Sequence, residues 1–216
     1  MCQGVRPVIT MLLLSLEVPR EAPATWGENS PRNSASVEAG IFWPFGDWTG
    51  HRFAQGVNQF QRGLALGIEL EHRFSELVGM AVMGGYGSLD VSDWENYARS
   101  KGDFVEGSAY VFYGGARLKF YLFDQGSHSI KVGFGGLYFS SHGQEQFRSF
   151  VYNYDFFANS SAAFLAGMEY DVSIGTAIAG MLKIDLVVLP SGVEYVDGRT
   201  FSVYAVPTTL GFRFFF

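Results

Sequence analysis

The stretch Leu64-Ala65-Leu66-Gly67-Ile68-Glu69-Leu70-Glu71-His72-Arg73-Phe74 decides how this chain folds. Every second residue from Leu64 to Phe74 is large and, apart from His72, apolar. The residues between them are small or charged. Because successive side chains of a β-strand point to opposite faces, the stretch predicts a strand with one apolar face and one small, charged face.

The same alternation recurs along the chain, for example in Tyr110–Leu122 and Ile178–Val188. The connections between such segments alternate between long and short, and the short turns fall at Ser75-Glu76, Asp124–Ser127 and Ser173–Gly175. Short turns at one end and longer loops at the other are typical of an outer-membrane barrel. We therefore predict an all-β fold, an eight-stranded antiparallel up-and-down transmembrane β-barrel. Its strands are expected at about Ser36–Pro44, Arg62–Phe74, Val78–Leu89, Ser108–Phe123, Ile130–Ser141, Ser160–Val172, Thr176–Leu189 and Phe201–Phe216.

The composition narrows the class of protein. Hydrophobic residues make up 48% of the 216 residues and charged residues only 17%, yet no apolar run after the N-terminal region reaches the roughly 18 residues of a spanning helix. The net charge of −6 argues against nucleic-acid binding, which normally needs a basic face. The only cysteine is Cys2, so a disulfide framework and a cysteine metal site are excluded.

The volume of the interior decides which face points outward. An eight-stranded barrel is just wide enough for side chains to fill it. Leu, Ile, Phe and Met from eight strands would overfill that space, whereas Gly, Ala and a few long charged side chains fit. The apolar face is therefore predicted to meet lipid, with aromatic girdles near both ends of the strands. The expected girdle residues are Trp43, Phe45, Trp48, Tyr86 and Tyr110 at the long-loop end and Phe74, Phe120, Phe123, Tyr170, Phe214 and Phe216 at the short-turn end.

The inward-facing charges nearly balance and gather toward the short-turn end. An unpaired buried charge costs several kcal/mol, so these groups should pair. We interpret them as an ion-pair plug that fixes strand register. The alternative is a path for protons or ions, and neither interpretation allows a wide pore. The predicted network consists of Glu38, Glu69, Glu71, Arg73, Arg117, Lys119, Lys131, Glu169, Asp171, Lys183, Asp185 and Arg213.

The N-terminus has the parts of an imperfect signal peptide. Arg6 precedes the short apolar stretch Val8–Leu16, and Ala22-Pro23-Ala24 offers small residues for cleavage, although Glu17 and Arg20 are atypical there. A disordered N-terminus is the alternative. The expected organisation is a signal peptide over 1–24, an N-terminal segment over 25–35 and an outer-membrane β-barrel over 36–216.

The chain ends Thr209-Leu210-Gly211-Phe212-Arg213-Phe214-Phe215-Phe216. This ending resembles the β-signal of bacterial outer-membrane proteins, in which a polar residue is followed by a glycine two positions later and by aromatics three and five positions after that glycine. Thr209, Gly211, Phe214 and Phe216 occupy those positions. The resemblance implies recognition by the barrel-assembly machinery, as an edge strand that templates closure.

The architecture over 36–216 resembles the small eight-stranded class that includes OmpA-type transmembrane domains, OmpX and the OmpW/OprG group. The resemblance implies an integral membrane protein in the outer membrane of a diderm bacterium, surrounded by outer-membrane lipids. Two functions follow from it. One is a structural or surface-interaction role, with loops that contact host or other extracellular molecules through residues such as Tyr152, Tyr154, Phe156 and Phe157. The other is a narrow, OmpW-like channel for small hydrophobic solutes, lined in its outer half by Met83, Val111, Tyr113, Leu137 and Leu165.

Three further signals carry little weight. The glycine-rich stretches Gly84–Gly87 and Gly133–Gly136 lie inside strands and open no helix, so they are not phosphate loops. The acidic loop between Asp90 and Glu106 has no convergent ligand spacing, and we expect neither a metal nor a cofactor. Ser140 and His142, with Glu145 behind them, suggest a remote lipid-esterase alternative. The sequence offers no oxyanion-hole candidate for that chemistry, so we expect a non-enzymatic protein.

Overall fold

Antiparallel strands account for nearly all of the chain that the computed structural model describes, namely residues 31–46, 59–92, 104–125, 127–147, 151–154, 161–194 and 200–216. No helix within these ranges is long and apolar enough to cross a membrane. The strands are β1 (Asn33–Gly46), β2 (Gln59–Gln61), β3 (Gly63–Arg73), β4 (Val78–Ser92), β5 (Phe104–Gln125), β6 (His128–Phe147), β7 (Val151–Tyr154), β8 (Ser161–Ser173), β9 (Ile178–Glu194) and β10 (Thr200–Phe215).

Eight of these strands close into a barrel. Each barrel strand pairs with its neighbours in chain order, and β1 pairs with both β3 and β10, which completes the circle. The short strands β2 and β7 lie outside this circle, where they pair with the long-loop ends of β4 and β6. The predicted fold, a closed eight-stranded antiparallel barrel, is confirmed.

The observed strands differ from the predicted ones mainly at the long-loop end. β5 and β6 remain paired as far as Phe104 and Phe147, beyond the predicted limits of Ser108 and Ser141. Continued pairing satisfies backbone hydrogen-bonding groups that a loop would have to satisfy in another way. At the other end β1 begins at Asn33, inside the predicted N-terminal segment, because Ser34 still pairs with Phe215. The predicted signal peptide lies outside the described residues.

Alternating burial shows which face is inside. On β3 the side chains of Leu66, Ile68 and Leu70 are 41%, 63% and 63% exposed, whereas Glu69 between them is only 2% exposed. On the other strands large apolar side chains also lie outside. The interior holds small and charged side chains and, toward the long loops, a buried apolar set that includes Phe42 and Leu137. A soluble protein would bury its apolar face, so this barrel has the inverted arrangement that suits a hydrocarbon surrounding.

The barrel interior as the candidate functional site

The interior consists of two layers of buried side chains. The charged layer lies toward the short turns and the apolar layer toward the long loops. The charged layer contains Glu38, Glu69, Glu71, Arg117, Lys119, Lys131, Glu169, Asp171, Lys183, Asp185 and Arg213, and the apolar layer contains Phe42, Met83, Val111, Tyr113, Leu137, Phe139, Leu165, Val187 and Leu189.

Glu169 on β8 is the centre of the charged layer. Its carboxylate accepts hydrogen bonds from Arg117 Nη2 at 2.9 Å, Lys119 Nζ at 2.8 Å, Lys131 Nζ at 2.8 Å and Arg213 Nη2 at 2.5 Å. These four cations come from β5, β6 and β10. One buried carboxylate therefore ties strands from opposite sides of the barrel together.

The cations around Glu169 are shared with further carboxylates. Arg117 contacts Glu69 Oε2 at 2.5 Å and Asp185 Oδ1 at 3.0 Å, which links β5 to β3 and β9. Lys119 also bonds Glu69, and it reaches Glu71 Oε2 at 2.8 Å. With this sharing, the desolvation cost of each buried ion is offset by more than one partner.

Three further ion pairs complete the links around the wall. Lys131 lies 2.7 Å from Asp171 Oδ2, and Arg213 forms ion pairs with both Glu71 and Asp171. The charged layer thus forms one continuous set of ion pairs across the lumen.

Glu38 occupies a different part of the layer, at the junction of β1 with β3 and β10. It accepts a hydrogen bond from Thr209 Oγ1 at 2.8 Å and pairs with Lys183 of β9. On its two sides it lies opposite Gly67 of β3 and Gly211 of β10.

Arg73 is buried at the short-turn end. Its guanidinium contacts Asp124 Oδ2 at 2.6 Å and the carbonyl oxygen of Ser75 at 3.0 Å, and it lies 3.6 Å from the ring centroid of Tyr121. Tyr121 in turn donates a hydrogen bond to Glu71. Neither Asp124 nor Tyr121 was predicted from the sequence as part of the site. Tyr121 lies two and four residues beyond Lys119 and Arg117 on the same strand, so its side chain points inward as theirs do. That spacing is the signal that could have predicted it.

Glycines provide the space for the large interior side chains. A Cβ atom at Gly85 would overlap the Tyr113 ring, and one at Gly167 would overlap the Asp185 carboxylate. In each pair the two residues face each other on neighbouring strands. The inward glycines are therefore needed to fit long side chains into an eight-stranded barrel, whose lumen is narrow.

The apolar layer includes all five residues that the sequence analysis placed in the outer half of the lumen. Tyr113 stacks on Phe139 with ring centroids 5.4 Å apart. Phe42 and Phe139 are fully buried, although neither was predicted as an interior residue. Phe42 lies four residues after Glu38 on β1, so the two side chains point to the same, inward face. The sequence alone contained this signal.

The residues of the C-terminal signal divide between the two faces. Thr209 points into the lumen and is buried, while Phe214 and Phe216 are exposed on the outside. Gly211 lies opposite Glu38. On the outside of β4 and β5, Tyr86 and Tyr110 of the predicted outer girdle lie beside Phe112, with ring centroids 5.4–6.2 Å apart.

The residues of the esterase alternative lie on β6 near the same girdle. The Ser140 side chain is exposed, and the His142 ring lies 5.1 Å from the ring of Tyr110. The side chain of Glu145, like those of Tyr152, Tyr154, Phe156 and Phe157, lies outside the described part of the molecule. Among the described residues, no group of His, Cys, Asp and Glu side chains is arranged to hold a metal ion.

Comparison with known proteins identifies the fold. No family model and no curated protein matches the sequence. Among solved structures, a major outer membrane protein from Thermus thermophilus matches with a TM-score of 0.59 and 11% identity, over 86% of this chain and 98% of that one. Neisserial surface protein A matches with a TM-score of 0.53 and 9% identity, over 85% and 97%. OprG from Pseudomonas aeruginosa matches with a TM-score of 0.50 and 10% identity, over 87% and 97%.

At these identities the matches establish the fold alone. It is the fold of the small eight-stranded outer-membrane β-barrels, and the assignment made from the sequence is confirmed. The apolar outside agrees with this class, since a closed barrel leaves no unpaired backbone group at a sheet edge to face lipid. The outer membrane of a diderm bacterium is the location to which this fold and its surface correspond.

Proposed function

We propose that this protein is a closed, non-conducting barrel of the outer membrane that anchors its long-loop side for contact with extracellular molecules. The observation that carries the proposal is the network of buried ion pairs that crosses the lumen in the charged layer. Salt bridges centred on Glu169 join strands on opposite sides of the barrel, so that the side chains themselves occupy the cross-section.

The two layers block passage for different reasons. An ion that enters the charged layer must lose its hydration shell and separate an ion pair whose members are almost fully buried, and both steps oppose its passage. A hydrophobic solute that enters from outside meets the apolar layer, where the Tyr113 and Phe139 rings stack on each other and are buried, and it would have to displace them. Because the layers lie in series, each one alone is sufficient to keep the barrel closed.

The length of the strands supports a role on the long-loop side. At about 3.4 Å per residue and a tilt of about 40°, β5 extends about 57 Å along the barrel axis, whereas the apolar band of such barrels is about 25 Å tall. At the opposite end β5 and β6 are paired up to Gln125 and His128, so their surplus length lies on the long-loop side. One protein of the same fold, Neisserial surface protein A, is named as a surface protein.

The experiment is electrical recording on protein refolded into planar bilayers, together with uptake of a small hydrophobic dye by vesicles. The parent is expected to show neither current nor protein-dependent uptake. Three variants dissect the layers: Phe42→Ala with Phe139→Ala, Glu169→Ala with Arg213→Ala, and all four together. We expect each double variant to stay closed and the fourfold variant to conduct.

The outcomes separate the two functions. Steady current or dye uptake in the parent would overturn the proposal in favour of a narrow channel. Current in either double variant would disprove the claim that each layer alone is sufficient. Every variant is first checked for folding by heat-modifiable migration on SDS gels, so that a silent bilayer is not mistaken for a closed barrel.

A further inference from the structure

The contact between β1 and β10, here called the seam, differs from every other contact between neighbouring barrel strands. The other barrel neighbours follow one another along the chain, so the connection between them limits how far they can slide. The two strands of the seam come from opposite ends of the barrel sequence and have no such connection. Where no turn sets the register, side chains must set it.

Glu38 is placed to set the register of the seam. It pairs with Gly211 across the seam and with Gly67 on the other side of β1. A Cβ atom at Gly67 would overlap the Glu38 carboxylate, and one at Gly211 would overlap the backbone of β1 and approach Glu38 Cβ to 3.0 Å. The Glu38 side chain therefore lies in a slot between two glycines.

Polar contacts hold the carboxylate in this slot. Thr209 Oγ1 donates to Glu38 Oε2 across the seam at 2.8 Å, and Lys183 of the next strand donates to Oε1. A second contact across the seam joins Arg213 Nη1 to Ser34 Oγ at 3.1 Å. The contacts of Glu38 engage both oxygens of its carboxylate, whereas Arg213 and Ser34 share a single hydrogen bond, so Glu38 is the stronger restraint on sliding.

A slip of the seam destroys this arrangement. A shift by one residue would turn the charged face of β10 toward lipid. A shift by two residues keeps the faces but puts either Thr209 or Arg213 opposite Glu38 instead of Gly211. Both residues carry a Cβ atom where the slot requires none, and the hydrogen bond from Thr209 loses its geometry.

We propose that Glu38 is the residue that selects the register in which the barrel closes. It does so by occupying the slot between Gly67 and Gly211 and by binding Thr209 and Lys183. Thr209 and Gly211 are also two of the four residues of the predicted C-terminal assembly signal. In the closed barrel the Thr209 hydroxyl binds the Glu38 carboxylate, and the missing side chain of Gly211 leaves room for the β1 backbone at Val37 and Glu38. This inference does not depend on whether the lumen conducts.

The test uses disulfide formation across the seam in a Cys2→Ser background. Ala39 and Leu210 form an outward-facing pair in the observed register, and a two-residue slip would bring Ala39 opposite Thr208 or Phe212 instead. Three cysteine pairs, A39C with L210C, T208C or F212C, therefore report the three registers. Residues offset by two positions are too far apart for a disulfide without movement of the backbone.

In the parent, only the A39C/L210C pair is expected to cross-link. Glu38→Ala should raise the ratio of off-register to in-register cross-links about tenfold or more, as expected for the loss of a buried hydrogen bond to a charged group. Glu38→Gln keeps the size and an acceptor oxygen, so it should stay closer to the parent. The matched control is Asp185→Ala, since Asp185 is also a buried acid opposite a glycine, Gly167, but lies away from the seam.

The outcomes are unambiguous. Off-register cross-links in Glu38→Ala but not in Asp185→Ala support the inference, and an unchanged register in Glu38→Ala overturns it. If Glu38→Ala does not fold, the A39C/L210C disulfide is formed before refolding. Recovery of folding in Glu38→Ala, with little gain for Asp185→Ala, then supports the role in register. Absence of recovery overturns it, because Glu38 would then act on stability alone.

Discussion

Replacing Ile68 by arginine tests the orientation of the whole barrel. Ile68 lies on the apolar outside of β3, where its side chain is 63% exposed. If that surface faces hydrocarbon, an arginine there must carry a charge into the membrane. If the surface faced water instead, the same substitution would change the free energy of unfolding by no more than about 0.5 kcal/mol.

The expected cost follows from the depth of the residue. At about 3.4 Å per residue and a tilt of about 40°, the stretch from Arg62 to His72 crosses about 26 Å, close to the apolar band of about 25 Å. Ile68 lies near the middle of that stretch and Leu64 near its outer edge. An arginine at the midplane costs about 2–4 kcal/mol, whereas one near the interface costs about 0–1 kcal/mol.

The assay is reversible urea unfolding of the protein in lipid vesicles, followed by tryptophan fluorescence. Ile68→Arg should lower the free energy of unfolding by about 2–4 kcal/mol, and Leu64→Arg by at most about 1 kcal/mol. Ile184→Arg on β9 repeats the test on a second strand. Equal effects of Ile68→Arg and Leu64→Arg, or no effect of either, would refute the membrane orientation.

Two other substitutions test the packing and the charge balance of the lumen. Gly85→Ala should destabilise the barrel by about 1–3 kcal/mol because the added methyl group overlaps the Tyr113 ring. Gly84→Ala is the control and should stay within about 0.5 kcal/mol, since its Cβ would face outward with the nearest atom at 3.6 Å. Equal effects of the two glycine substitutions would contradict this packing. Arg117→Ala should cost about 3–5 kcal/mol by leaving buried carboxylates uncompensated, and adding Glu69→Gln should restore part of that loss. Equilibrium unfolding measures both, and a double variant less stable than Arg117→Ala alone would count against the paired network.

Much of the fold was predictable because a transmembrane barrel repeats one local rule. The alternation from Leu64 to Phe74 sets both the strand and its two faces, and the narrow lumen of an eight-stranded barrel decides which face is inside. The same parity places Glu169, Arg117 and Arg213 in the interior. Phe42 and Tyr121 lie an even number of residues from the inward-facing Glu38 and Lys119, so the same pattern predicts that they point inward, although neither was predicted as an interior residue.

The partners inside the lumen were not predictable, because they depend on how strands distant in sequence are staggered. The alternation along β1 predicts that Glu38 points inward. Only the register of the closed barrel places it between Gly67 and Gly211 and within hydrogen-bonding distance of Thr209. In the same way, the pairing of Arg73 with Asp124 depends on the turns at the end of the barrel.

The sequence by itself determined which face of each strand meets lipid and which meets the lumen. The two-residue repeat of a strand sets the two faces, and the narrow lumen of an eight-stranded barrel decides which one lies inside. The tertiary structure alone decided which charged side chains form ion pairs. It also decided that β5 and β6 continue as paired strands beyond the apolar band. These features arise from the stagger of neighbouring strands and from closure of the barrel, and no local pattern encodes either one.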